Sequence, residues 1–247
     1  DPAIKDKIAE FKVVSTGTDA PAQLGAIEDF INQGYDAIVT IAVAPDGFDR
    51  VIRLADKNNV VLVPFDNVLD TDAVMQVNED QLMMGRMWAQ FALDELKAKG
   101  VTSGKILEVR GLPGNSVDRD RSIGINETFK ADGGAWEIVS VVGNWDDGTT
   151  QKVVADAIAV HGQFEAVVGQ GGSNGVIQAL SDAGHPWVPV AGESENGYRK
   201  AIAKHSGEGL KGISIGQSPG LVAIAMKAAV SALGGNVMPQ LISVPLP

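Results

Sequence analysis

A chain of 247 residues suits one large α/β domain or two smaller lobes. Its formal charge of −11 works against polyanionic partners, so nucleic acid and anionic membrane surfaces fit poorly. It has no cysteine, which excludes disulfide scaffolds, thiol catalysis and cysteine–zinc sites, and no apolar run approaches membrane-spanning length.

Along the chain, short β-branched runs alternate with longer segments of helical period. Asp1 to Glu10 reads as the tail of a helix or its connection, and Phe11-Lys12-Val13-Val14 predicts a strand. Asp19 can cap a helix with Leu24, Ile27 and Ile31 on one face. Ala37–Ile41 predicts a buried strand, a helix holds Val51, Ile52 and Leu54, and Val60–Val63 gives the next strand. After a hydrophilic connector from Asp66 to Ala73 come a short strand at Val74–Val77 and a helix over about Glu79–Lys99. The same grammar restarts at Lys105. Further strands are expected near Glu137–Val142, Ala166–Val168, Val188–Ala191 and Gly212–Ile215, with helices around Thr149–Val160, Asn174–Ala183 and Ser194–Lys204. A last helix spans Gly220–Leu233 and an extended run Leu241–Val244 follows. Near-continuous apolar strands separated by helices imply parallel sheets covered on both faces. A doubly wound lobe also calls for one more βα unit ahead of Phe11, and the end at Val244–Pro247 reads as cut short.

The stretch from Lys105 to Arg121 organises this pattern: a strand, a Gly/Pro turn at Gly111–Gly114, and a helix that Asn115 or Ser116 can cap. Ligands bind where such a strand ends and its helix begins. Arg119 lies in the first helical turns, where the helix dipole disfavours a cation, so it is either a solvated arginine or a donor to a ligand. Trp145 follows a strand beside Asn144 and reads either as core or as a flat platform for a sugar ring. Asp66 and Gln217 are further polar residues at strand ends.

Other motifs compete. Gly171-Gly172-Ser173-Asn174-Gly175 fits the G-x-S-x-G nucleophile elbow, with Glu193 and His205 following in hydrolase order. No HGG-type oxyanion loop accompanies it, and the bland reading is a tight turn whose backbone lines a pocket. Gly169-Gln170-Gly171 begins a dinucleotide loop that Asn174 breaks. His161, His185 and His205 lack metal-like spacing, and Asp70 and Asp72 start a calcium loop that Val74 and Met75 do not continue. Helix capping explains Asp146 and Asp147.

Nearly the whole chain resembles the type I periplasmic sugar-binding proteins of ABC importers, the class of ribose-binding protein. The run from Gln23 through Ile27-Glu28 to Gly34-Tyr35-Asp36-Ala37-Ile38 is similar to that family's Q-x-x-x-I-E signature, and Val63-Pro64-Phe65-Asp66 to its strand ending in a ligand-binding aspartate. Gly111–Arg121 resembles its G-x-x-G-x-S-x-x-R-x-R loop, Trp145 falls on its stacking aromatic, and Gln217-Ser218-Pro219 on its crossover. Gly171 and Gly172 stand where the family often has Asn-Asp, and Glu193 with Ser194 where it often has Phe-Asp, which sets the chain apart from ribose binders.

The resemblance implies two doubly wound parallel-sheet lobes joined by a three-stranded hinge that closes on a ligand in the cleft between them. Lobe one would be residues 1–78 with 218–236, and lobe two 79–217 with 237–247. The implied ligand residues are Asp66, Asn67, Arg119, Trp145, Gly171, Gly172, Glu193 as substitute acid, and Gln217. The implied function is capture of a monosaccharide or polyol by a monomeric periplasmic protein for a membrane ABC permease, with no catalysis, metal, cofactor or nucleic acid. The alternatives are the sugar-sensing domain of a lactose-repressor-like regulator and, more remotely, a hydrolase.

Overall fold

The computed structural model describes residues 2–246. Its helices are α1 (Ala20–Asn32), α2 (Phe48–Lys57), α3 (Gln81–Ala98), α4 (Ser116–Asp132), α5 (Asp147–His161), α6 (Ser173–Asp182), α7 (Asn196–His205) and α8 (Leu221–Leu233). Its strands are β1 (Ala37–Thr40), β2 (Val61–Pro64), β3 (Gln76–Glu79), β4 (Ser103–Arg110), β5 (Ala135–Val142), β6 (Ala166–Gly169), β7 (Pro189–Gly192), β8 (Lys211–Ser214) and β9 (Leu241–Val244). The helix starts follow side-chain chemistry. Asp19, Asp80, Asn115 and Asp146 each accept an amide of the first turn, from Ala22, Met83, Val117 and Thr149.

The chain divides into two compact units, one of residues up to 79 with 218–245, the other of residues 80–217 with Leu246. In the first unit β1 pairs with β2 and β3 with β9, all parallel, and a bridge between Phe65 and Val77 links the two pairs. One core lies under α1 and α2 around Ile27, Ile38, Val51 and Leu62; a second gathers Val63, Val77, Leu221 and Ala225 of β2, β3 and α8.

The second unit is built on one parallel sheet in the order β5-β4-β6-β7-β8. Side chains of successive strand residues leave opposite faces. Leu107, Val109, Val167 and Val190 enter a core with Val154, Val176, Leu180 and Tyr198. Ile106, Ala166, Val168 and Ala191 enter the other, with Met84, Trp88, Leu93, Ile125 and Phe129 of α3 and α4. Both faces are buried, which is why these strands read as continuous apolar runs.

Two expectations are corrected. Phe11–Val14 forms no strand, and Phe11 and Val13 are 65% and 75% exposed. A strand needs a ladder partner, and among the described residues β1 is paired only with β2. Residues 237–245, expected in lobe two, belong to the first unit, because β9 runs in register beside β3 from Gln76–Leu241 to Glu79–Val244.

Candidate functional site

In the second unit the chain goes from β4 outward to β5 and then returns to β6 on the other side of β4. Such a reversal opens a crevice at the carboxyl ends of the two central strands, the usual ligand position in an open parallel sheet. The residues there are Gly111 after β4 and Gln170-Gly171 after β6.

Trp145 is delivered to this crevice from β5. Asp146 N donates to Gly143 O at 3.0 Å, closing a turn whose central residues, Asn144 and Trp145, have φ of 54° and 58°. Two left-handed residues define a type I′ turn, which normally takes Gly, Asn or Asp. Asparagine tolerates this conformation, whereas a bulky tryptophan stores backbone strain of about 1–3 kcal/mol. The indole packs where side chains of its neighbours would be. A Cβ on Gly111 would lie 2.2 Å from Trp145 Cε2, and one on Gly171 would lie 2.8 Å from Cδ1. The two glycines at the switch point are thus the seat of Trp145. Buried polar atoms without a hydrogen-bond partner collect at this end of the unit: Trp145 Nε1, Thr150 Oγ1, Gln170 Oε1, Arg121 Nη2 and Ser116 Oγ.

The loop from β4 to α4 is held by a side chain the sequence reading passed over. Buried Asp118 takes both Arg110 Nε and Nη2, at 2.8 and 2.5 Å, and Gly111 N at 2.8 Å. Arg119 and Arg121 lie on the same helix, two residues and about 200° apart. The Arg119 side chain is 44% exposed beside Asp120, while that of Arg121 is 2% exposed inside the unit.

Glu193 Oε1 accepts from Ser194 N at 3.1 Å and Gln217 N at 3.0 Å, and its Oε2 meets Arg121 Nη1 at 2.9 Å. Gln217 is held by this contact at the end of the unit. Gly172 N and Ser173 N donate to the two oxygens of Glu195, both at 2.8 Å, so a carboxylate already fills the start of α6. Ser173 sits at the carboxyl end of β6, whereas His205 ends α7, before β8 begins, and pairs with Glu208 at 2.8 Å. Among the described residues no group of three or more His, Asp or Glu is placed to hold a metal.

Burial pushes the Glu195 carboxyl above its ordinary range, against the pull of the Gly172 and Ser173 amides. A carboxyl whose folded pKa is raised binds protons more readily in the native state. Its stabilising contribution is complete below the ordinary glutamate value of about 4.5 and declines as pH rises through the raised value. Denaturation midpoints measured across that window should fall with pH in the parent chain, and Glu195→Gln should flatten that part of the curve. An unchanged slope would remove Glu195 as its source.

In the first unit Asp66 stands after β2 in the left-handed region, with φ of 66°, and its amide donates to Val77 O at 2.9 Å. Asn67 is buried, and its Nδ2 donates to Ala42 O at 2.7 Å, which ties the loop after β2 to the loop after β1. Gln23 of α1 grips the same β1 loop, donating to Ile41 O at 2.7 Å and accepting from Val43 N at 2.9 Å. Glu28 pairs with Arg50 at 2.7 Å.

Two units built on parallel sheets, with polar and aromatic residues at strand ends, give the chain an α/β architecture with ligand-accessible strand ends. The chain belongs to the family described as the periplasmic binding protein domain, which matches residues 3–236. It is 27% identical over 182 residues to the xylitol-binding protein of Mycolicibacterium smegmatis, covering 72% of this chain and 51% of that protein. It therefore spans about half the length of that relative. It is 25% identical over 238 residues to the ribose import binding protein RbsB of Bacillus subtilis, covering 95% and 75%. Among solved structures it is similar to an ABC transporter solute-binding protein of Thermobispora bispora, with TM-score 0.88, 23% identity and coverage of 100% and 76%. It is also similar to the periplasmic binding protein component of the arabinose ABC transporter from Shewanella sp. ANA-3, bound to α- and β-L-arabinofuranose, with TM-score 0.81, 25% identity and coverage of 92% and 76%. No helix among the described residues is long and apolar enough to cross a membrane.

Proposed function

We propose that this chain captures a neutral monosaccharide or related polyol in the periplasm and hands it to a membrane ABC permease, acting as a monomer without catalysis. The observation that carries the reading is Trp145, a tryptophan held in a left-handed turn at the switch point of the second unit, on a seat made by two glycines. A flat apolar surface among polar groups suits the apolar face of a sugar ring. Arg119 supplies a fork of donors for adjacent hydroxyls. Gln217 supplies a further polar contact, and Gly171 and Gly172 supply backbone close to the ring. The names of the relatives agree with sugars or polyols as a class.

A thermal-shift panel of pentoses, hexoses, furanoses and polyols tests the reading, because a ligand that binds only the folded state raises its melting temperature. At least one neutral member should raise it, and a flat response at millimolar concentrations throughout the panel would sink the proposal. Against the hit, Arg119→Ala should lose about tenfold in affinity by calorimetry, the share of one charge-assisted hydrogen bond from an exposed side chain. An unchanged affinity would remove Arg119 from the site.

A further inference from the structure

Arg121 is a fully buried cation that the proposed ligand contacts do not use. It reaches its position because α3 and α4 touch through backbone: a Cβ on Gly85 would lie 2.1 Å from Arg121 O, and one on Gly124 2.2 Å from Leu82 O. The guanidinium then spreads over three partners. Nε donates to Gln81 Oε1 at 2.8 Å, Nη1 donates to Gln170 O at 2.9 Å, and Nη1 also meets Glu193 Oε2 at 2.9 Å. Its Cζ lies 5.1 Å from the centre of the Trp88 ring.

These partners have a common property. Gln81 is the second residue of the second unit, just past the boundary at Glu79–Asp80. Glu193 passes the link onward through Oε1 to the amide of Gln217, the residue at which that unit is left. Trp88 donates to Ile215 O at 3.1 Å in the same exit segment. Gly216 has no room for a side chain, since a Cβ there would lie 1.2 Å from Glu193 Oε1. The points where the chain enters and leaves this unit are therefore gathered on one guanidinium.

We propose that Arg121 and Glu193 are positioning residues, an ion pair of a buried guanidinium and a partly buried carboxylate that clamps the entry segment Asp80–Gln81 to the exit segment Ile215–Gln217 and so sets where Gln217 is presented. Such a pair is a weak source of stability, and the geometry it enforces accounts for it better. Arginine suits the task because its planar fork bonds in several fixed directions, which a lysine ammonium does not. The step from clamp to ligand rests on the sugar-binding reading; the clamp itself does not.

Amide hydrogen exchange on the ligand-free chain tests the clamp, with Gln81→Ala and Glu193→Gln made singly and together. Each single variant should speed exchange at the Gln217 amide about tenfold or more, while Leu107 and Val167 in the central strands keep their rates. The double variant should be no faster than Glu193→Gln alone, because the path from Gln81 through Arg121 to Gln217 is already cut at Glu193. If Glu193→Gln does not fold, Arg121→Lys takes its place. A Gln217 amide unmoved by Gln81→Ala would overturn the clamp, and so would a uniform rise across the unit, the mark of a merely structural pair. With a sugar found by thermal shift, Gln81→Ala should also weaken it threefold or more. A chain that binds no sugar would end the transport reading and leave the exchange result to decide the clamp.

Discussion

Replacing Trp145 with alanine should weaken binding of the cognate sugar about thirtyfold or more, while the second unit stays folded. Aromatic anchors at the centre of a binding surface cost about 2 kcal/mol or more when truncated, and every 1.4 kcal/mol is tenfold. The residue is half-buried, and its indole replaces the side chains that Gly111 and Gly171 lack. Alanine removes the platform but keeps a Cβ at φ of 58°, so the strain of the turn stays as it is. Loss of affinity should thus come with a nearly unchanged melting temperature, a pairing that a core tryptophan would not give. Trp145→Phe keeps a flat ring and should fall between parent and alanine. Sugar should also change the intrinsic fluorescence of the parent and change it less in Trp145→Phe. Normal binding by Trp145→Ala would place the indole outside the site, and a large drop in melting temperature would make it core.

Much of the architecture was legible because it is local. Helix caps at Asp19, Asn115 and Asp146 are single side chains serving the next turn, and strand and helix periods differ within a few residues. What failed was non-local. The run Phe11–Val14 has strand composition, but composition does not supply a partner. The run Leu241–Val244 was read as extended, yet its unit is fixed by pairing with residues far back at Gln76–Glu79. The site divides in the same way. Sequence places Glu193 at a strand end without showing where its carboxylate points, and Arg121 had already claimed it. Arg119 and Arg121 look alike in the motif; 100° of rotation per residue was the available signal that one faces inward. The glycine seat of Trp145 carried a fainter signal, since Gly111 and Gly171 are separated by α4, β5, α5 and β6. The signature residues Gln23 and Glu28 turn out to serve architecture, gripping the loop after β1 and pairing with Arg50.

The largest stability effect should come from Trp88, which underlies both the core of the second unit and the exit segment. The side chain is fully buried, stacks beneath Arg121 and donates to Ile215 O. Truncating a buried tryptophan to alanine costs about 3–5 kcal/mol, a large share of the 5–15 kcal/mol that keeps a typical protein folded. At about 2–4 °C per kcal/mol for a protein of this size, the melting transition of that unit should drop by roughly 6–20 °C. Trp88→Phe separates packing from hydrogen bonding. Phenylalanine refills much of the volume and still offers Arg121 a ring face, but it leaves Ile215 O without its donor in a buried setting. An unmet buried acceptor costs about 1–3 kcal/mol, so Trp88→Phe should sit clearly between parent and alanine. Denaturant titration followed by far-ultraviolet circular dichroism gives the order, provided the two units are fitted as separate transitions. If Trp88→Ala stays within about 0.5 kcal/mol of the parent, as a surface substitution does, then Trp88 is not at the heart of this core. If Trp88→Phe matches the parent instead, the indole N–H contributes nothing at Ile215, and the exit segment keeps its Glu193 contact at Gln217 N and its Ile215 N bond to Gly192 O.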